Sequence, residues 1–395
     1  MDAIPVYPAA MAALLALVSA SYFCQSNPVY PSDVVDKMIQ DRNGNDTPVA
    51  DMIIIVTGST SGLGKMIASK LYEMGATIIV ASRCMTNCQK TVDEIKARYP
   101  LSTGKLEVGI VDTSDLSSVA SFAKNFLEGH SKLHALINNA GIHYVSTPGN
   151  PMVNLDLPMK SPQGYDTAFA TNYLGHFLLT ELLVPIISKS SQFGTIVNVA
   201  SSYHFLGCGD MLKPQLNDGK GPCMPFAARS LTGHFFHREL QYGNNKLAQV
   251  LHAKELQRRL KKSKTSIRTV SICPGWVNTA MLPNNIGGRF VGCFAYRVEE
   301  GILSTMCGLF GSDLSGGEFL GNSKNIWASQ TSLFSFAERL GVKRVLCTVF
   351  AMWLLLFQKM SYGKRHIEPS SPDSLNEELG SALYDWSLAE VSAYL

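Results

Sequence analysis

Tyr242 and Lys246 stand four residues apart in Tyr242-Gly-Asn-Asn-Lys246, a spacing that puts both side chains on one face of a helix. There an ammonium can draw the phenol's pKa from its ordinary value of about 10 towards the range of a working acid/base catalyst. Far upstream, Thr57-Gly58-Ser59-Thr60-Ser61-Gly62-Leu63-Gly64 forms a glycine-rich turn. Its missing side chains let the backbone approach a pyrophosphate, and the helix that follows offers free N–H groups to an anion. An acid/base pair and a nucleotide turn together point to hydride transfer. Either alone is weak, because Tyr-x-x-x-Lys recurs by chance in helices and glycine turns are common loops.

Positioning these residues requires a particular run of elements. Met52–Val56 reads as a buried strand that feeds the turn, and a helix follows from Gly62 to Met74. Thr77–Ala81 is the next strand and Thr86–Arg98 the next helix; strand-like runs recur at Leu106–Val111, Leu133–Ile137, Thr195–Val199 and Ile267–Ile272. Continuous apolar strands alternating with helices predict a parallel sheet covered on both faces. The expected fold is α/β, a doubly wound parallel sheet of Rossmann type, which binds ligands beyond the carboxyl ends of its strands.

Composition narrows the setting. The 395 residues include 16% charged and 46% hydrophobic side chains, against a usual charged share of about 25%. That deficit, with a mean hydropathy of +0.07, hints at membrane contact. A net charge of +3 without a basic, aromatic-interleaved stripe argues against nucleic acid. Nine cysteines, with no Cys-x-x-Cys pair, form neither a disulfide nor a zinc framework and fit a reducing compartment. No metal site is expected.

Both ends of the chain carry apolar runs. Ala9–Cys24 is almost wholly apolar and as a helix spans roughly 24 Å, short of a hydrocarbon core of about 30 Å. An uncleaved anchor is favoured; cleavage after Ala20 is the alternative, but a basic stretch before the apolar run is missing. Near the other end Val345–Gln358 is uncharged between Lys343, Arg344 and Lys359, and basic flanks favour the cytosolic side. It reads as an interfacial or re-entrant segment, with a buried core helix as the alternative. The expected organisation is an anchor and linker over 1–50, a dinucleotide-binding catalytic domain over 51–325, a membrane-associated insertion over 326–368, and a C-terminal helix over 369–395 packing on the catalytic domain.

Six segments occur in a telling order: TGSTSGLG from Thr57, NNAG from Asn138, TNYLGHFLLT from Thr171, IVNVASSYH from Ile196, YGNNK from Tyr242 and PGWVNT from Pro274. In these the chain resembles the short-chain dehydrogenase/reductase family, in particular its membrane-associated, retinol-dehydrogenase-like branch. The resemblance implies Tyr242 as general acid in carbonyl reduction and base in alcohol oxidation, with Lys246 lowering its pKa and bonding the nicotinamide ribose. It implies Ser201 as the serine that polarises the carbonyl, with Ser202 the neighbouring alternative, and Asn172 as the holder of a relay water. It further implies a cofactor cradle of Gly58, Ser59, Gly62, Leu63, Gly64, Asn139, Ala140, Gly141, Pro274, Gly275 and Val277, with Asp112 at the adenine and Thr279 at the carboxamide. Ser201 and Tyr242 lie 41 residues apart, farther than in most relatives. The extra loop, with His204, His234 and His237, is expected to cover the substrate, its histidines being loop or surface residues.

Cofactor choice rests on the second strand. Val80-Ala81-Ser82-Arg83 offers no acid for a ribose 2′-hydroxyl, and Arg83 stands ready for a 2′-phosphate. The sequence therefore predicts an NADP(H)-dependent oxidoreductase acting on a lipophilic alcohol or carbonyl. Expected partners are that substrate and membrane lipids of the endoplasmic reticulum, with the catalytic domain cytosolic; assembly into a homo-oligomer is left open. The alternative is a membrane-bound, cofactor-binding scaffold without turnover.

Overall fold

The computed structural model describes residues 48–143, 160–190, 194–212, 226–279, 295–321, 366–368 and 370–395. Strand β1 (Ile53–Thr57) leads through the glycine turn into α1 (Gly62–Glu73). β2 (Thr77–Ser82), α2 (Met85–Arg98), β3 (Lys105–Ile110), α3 (Leu116–Gly129) and β4 (Ala135–Asn138) follow. A long helix α4 (Thr167–Ser190) contains a π-helical turn at Ala170–Leu174. Then come β5 (Thr195–Val199), α5 (Phe226–Lys262), β6 (Arg268–Cys273), α6 (Leu303–Phe310), β7 (Phe319–Gly321), β8 (His366–Glu368) and α7 (Glu377–Val391).

The strands form one sheet in the order β3-β2-β1-β4-β5-β6-β7-β8. The first seven run parallel, and β8 pairs antiparallel with β7, His366 facing Gly321. Strands β1 to β3 step outward one way and β4 onward the other. The reversal therefore falls between β1 and β4, where Ile54 pairs with Ala135, and a crevice opens at their carboxyl ends. The alternation of β1 divides the core: Ile54 and Val56 pack with α1 and α6, while Ile55 packs with α3, α4 and α5. Burial on both faces is why these strands read as unbroken apolar runs.

Strands β7 and β8 escaped the sequence reading, since three residues carry no usable period. β8 also places His366–Glu368, read as the end of an apolar insertion, on the sheet edge. Among the described residues α4 is the one helix long and apolar enough to cross a membrane; its side chains are mostly buried against α3 and the sheet, as in a core helix. Ala9–Cys24 and Val345–Gln358 lie outside the described residues.

Helix α7 closes the outer face of α4 and α5. The Tyr384 hydroxyl donates to Glu181 at 2.5 Å, Tyr173 and Ser387 share a buried hydroxyl pair at 2.8 Å, and Arg259 lies 4.0 Å over the Tyr384 ring. In the middle of α5, Lys246 is buried and Tyr242 is half-buried.

Candidate active site

The glycine turn takes its shape from what presses on it. Gly58 has φ +63°, and a Cβ there would lie 2.8 Å from the Ala140 Cα. A Cβ on Gly64 would lie 2.4 Å from the Asn139 amide nitrogen, so these glycines permit the approach of the Asn138–Gly141 turn rather than flexibility. The Thr57 hydroxyl accepts the N–H groups of Asn139 at 2.9 Å and Ala140 at 3.0 Å, and Asn139 donates back to the Thr57 oxygen at 2.8 Å. Buried bonds of this kind contribute about 0.5–1.5 kcal/mol each, and orphaning one partner costs about 1–3. The two turns therefore move as one body.

Beside them lies a cavity of about 300 Å³ lined by Gly58, Gly62, Leu63, Gly64, Arg83, Asp112, Asn139, Ala140, Gly141 and Thr279. Most of the residues expected to cradle a dinucleotide are thus gathered at the sheet's reversal point. Arg83 is exposed at the end of β2, and Asp112 is held by Ser114 through bonds of 2.9 and 2.7 Å. Ser59 is fully buried and does not line the cavity. Pro274, Gly275 and Val277 stand behind Thr279, with Val277 paired to Tyr296. The cavity suits a nucleotide: a glycine-lined floor at a helix N-terminus for phosphates, and an exposed guanidinium at one end.

Three segments carry the four expected catalytic residues. Asn172 lies in the π-helical turn of α4; its amide accepts from Ile142 N at 2.8 Å and donates to Ile142 O at 2.9 Å. The π turn is held against the β3 loop by Gly175, where a Cβ would stand 1.9 Å from the Thr113 oxygen. Ser201 follows β5 and caps a short 3-10 turn over Ser202–Leu206, its hydroxyl accepting from Tyr203 N at 3.2 Å. Ser202 instead gives its N–H to the Cys273 sulfur at 3.2 Å. Tyr242 and Lys246 share one face of α5, with Lys246 Nζ 5.4 Å from the Tyr242 ring centroid.

Contacts made by their neighbours draw these segments side by side. The His143 ring lies 4.2 Å from that of Tyr242, one residue beyond the Ile142 that holds Asn172. The Tyr203 ring, next to Ser201 and Ser202, lies 5.4 Å from Tyr242. The turn reaches α5 so closely because both surfaces are glycine: a Cβ on Gly243 would be 2.9 Å from the Tyr203 oxygen, and one on Gly207 2.8 Å from Leu247 Cβ. Lys246 Nζ donates to the Val199 oxygen at 2.8 Å, and burial draws its pKa down to about 7, slightly countered by Cys273.

His176 ties this cluster to the glycine turn. Its Nδ1 lies 3.2 Å from the Asn172 main-chain oxygen, which only accepts, so Nδ1 carries the proton. Nε2 then accepts from the Thr57 hydroxyl at 2.9 Å. Burial keeps the ring neutral by lowering its pKa to about 4.

Sequence reasoning passed over His143, Tyr203 and Trp276. They build an aromatic wall, with the Tyr203 and Trp276 rings 6.5 Å apart. Their signal was position: each stands within two residues of a quoted motif or its key serine. One expectation needs correction. His204, read as a loop or surface histidine, is fully buried, because a 3-10 turn folds it inward. His234 and His237 have no described side chains, and residues 213–225 and 280–294 lie outside the described set.

Comparison with known proteins agrees with this geometry. The family model for short chain dehydrogenase matches residues 52–211. Retinol dehydrogenase 12 of Bos taurus is 29% identical over 294 residues, covering 72% of this chain and 82% of that protein. Polyprenol dehydrogenase of Mus musculus is 29% identical over 261 residues, covering 64% of this chain and 69% of that protein. In fold, the chain is similar to the crystal structure of an uncharacterised protein from Mycobacterium paratuberculosis, with a TM-score of 0.57 and 24% identity over 89% of this chain and 97% of that one. Over residues 52–211 the chain is similar to the short-chain dehydrogenase family, oxidoreductases that interconvert alcohols and carbonyls with NAD or NADP, and it resembles that family's retinol-dehydrogenase-like branch.

Proposed function

We propose that this protein is an NADP(H)-dependent oxidoreductase that interconverts a lipophilic alcohol and its carbonyl, with Tyr242 as the acid and base. The observation that carries the reading is the convergence of the segments bearing Tyr242 and Lys246, Ser201, and Asn172 beside a cavity lined by the glycine turn and Arg83. A nicotinamide cofactor held in that cavity supplies or accepts the hydride. In the reducing direction the Ser201 hydroxyl donates to the substrate oxygen and polarises it. Tyr242 then gives its proton to the developing alkoxide, and the Lys246 ammonium favours the phenolate left behind. Proton resupply runs through a water that the second lone pair of the Asn172 main-chain oxygen can hold, on the way to Lys246.

Arg83 favours NADP(H), since its guanidinium is exposed at the end of β2 with no acidic neighbour at the strand terminus. The names of the relatives, dehydrogenases of retinol and polyprenol, support a lipophilic substrate, as does the wall of Tyr203, Trp276 and His143. The apolar runs Ala9–Cys24 and Val345–Gln358, the second with basic flanks, support attachment to the endoplasmic reticulum with a cytosolic catalytic domain.

The test is turnover of full-length protein in detergent against aldehydes of graded chain length, each with NADPH and NADH. The reading expects kcat/KM to rise with chain length and to favour NADPH. Preference for short hydrophilic carbonyls, or for NADH, would contradict it.

A further inference from the structure

The carbonyl of Ser201 is held twice by one residue. It accepts the His204 main-chain N–H at 3.1 Å and the His204 ring at Nδ1, 2.7 Å away. A carbonyl only accepts, so Nδ1 carries the ring proton. The other ring nitrogen, Nε2, accepts the main-chain N–H of Ser371 at 3.0 Å, across 167 residues of sequence. Both ends of the ring therefore have assigned roles, consistent with a neutral imidazole whose pKa burial lowers to about 4. Phe205 and Phe319 flank the ring at 4.3 and 4.5 Å and prevent it from turning.

Ser371 is itself fixed. Its oxygen receives the Ser374 hydroxyl at 2.6 Å, and Asp373 accepts Gly209 N at 2.7 Å. The turn over Pro372–Leu375 is thus bound to the far end of the segment that begins at Ser201, and α7, which follows, is docked on α5.

We propose that His204 is a positioning residue for Ser201, passing the hold of the C-terminal turn at Ser371 to the main chain that orients the serine hydroxyl. This inference rests on the reading of Ser201 as the group that polarises the substrate. A catalytic hydroxyl on a short 3-10 turn has little else to define it, since its own bond to Tyr203 N is long at 3.2 Å. Fastening that turn from the C-terminal segment makes the serine's geometry depend on residues far from the substrate, where misplacement of about 1 Å can cost about a hundredfold in rate.

Ser371 has φ −58° and ψ 152°, values that proline adopts without strain. Ser371→Pro therefore keeps the φ and ψ of this position but replaces the N–H that His204 accepts with a ring carbon that pushes the imidazole away, breaking the tie, whereas Ser371→Ala keeps it. With full-length protein, NADPH and a long-chain aldehyde, Ser371→Pro is expected to lower kcat about tenfold or more with cofactor Kd unchanged, and Ser371→Ala to match wild type. In a Ser201→Ala background the proline substitution should change the residual rate by less than about twofold, because two residues acting through one group are not additive. Equal kcat for the proline and alanine variants, or an undiminished effect of proline in the Ser201→Ala background, would overturn the inference and leave the functional reading standing. A wild type that turns over no carbonyl would overturn both.

Discussion

Lys246 donates a hydrogen bond from Nζ to the main-chain oxygen of Val199 at 2.8 Å while only 4% of the residue is exposed. The bond places the ammonium beneath the end of β5, directly before Ser201, and holds it on the Tyr242 side of α5. Burial opposes the charge and pulls the pKa to about 7.

Stability should record that opposition. An unfolded lysine titrates near 10.4, so between about pH 7 and 10.4 the unfolded chain binds a proton that the cofactor-free fold does not. Stability then rises with pH across this window, and the penalty is fully present below it. Lys246→Met, neutral at all pH, is expected to raise the melting temperature of cofactor-free protein at pH 6.5, with the gain vanishing by pH 10. A gain independent of pH would mean that the lysine binds its proton equally in the folded and unfolded chains, so that burial does not shift its pKa.

Arg83 offers the cofactor test. Arg83→Ala should weaken NADPH by about 1.5–3 kcal/mol, the contribution of a charge-assisted bond to phosphate, and leave NADH nearly unchanged. Titration calorimetry with both cofactors decides it, and equal losses would remove the basis for an NADP preference.

Three buried histidines should set the acid limit. Burial lowers the pKa of His176 and His204 to about 4 and of His252 to about 3. Unfolded histidines protonate near 6.5, so below that pH the unfolded chain takes up protons that the fold refuses. Stability should fall from pH 6.5 towards 4. His252→Gln is expected to flatten that fall in pH-dependent denaturant titrations by about one proton; an unchanged slope would show that His252 titrates freely.

Much of this was legible in the sequence, for identifiable reasons. β1, β2 and β5 are buried on both faces, so their apolar runs were unbroken, and the Gly58–Gly64 turn sits between a strand and a helix as written. The Tyr242–Lys246 spacing gave a shared helix face, found at 5.4 Å. What stayed hidden depends on contacts between distant segments. Gly243 and Gly207 matter because two surfaces touch there, and no local pattern marks such a contact. The π turn at Ala170–Leu174 adds a residue per turn without altering composition. His204 looks like any loop histidine until Ser371 arrives to meet it.

The central claim, hydride transfer with Tyr242 supplying the proton, is tested most directly by isotope transfer. Wild-type protein and Tyr242→Phe would be given NADPH deuterated at the transferable position, with a long-chain aldehyde, and the alcohol analysed by mass spectrometry alongside cofactor Kd. The account predicts deuterated alcohol from wild type, and none above background from Tyr242→Phe although it binds NADPH with wild-type affinity. Deuterium transfer by Tyr242→Phe at a near wild-type rate would contradict it.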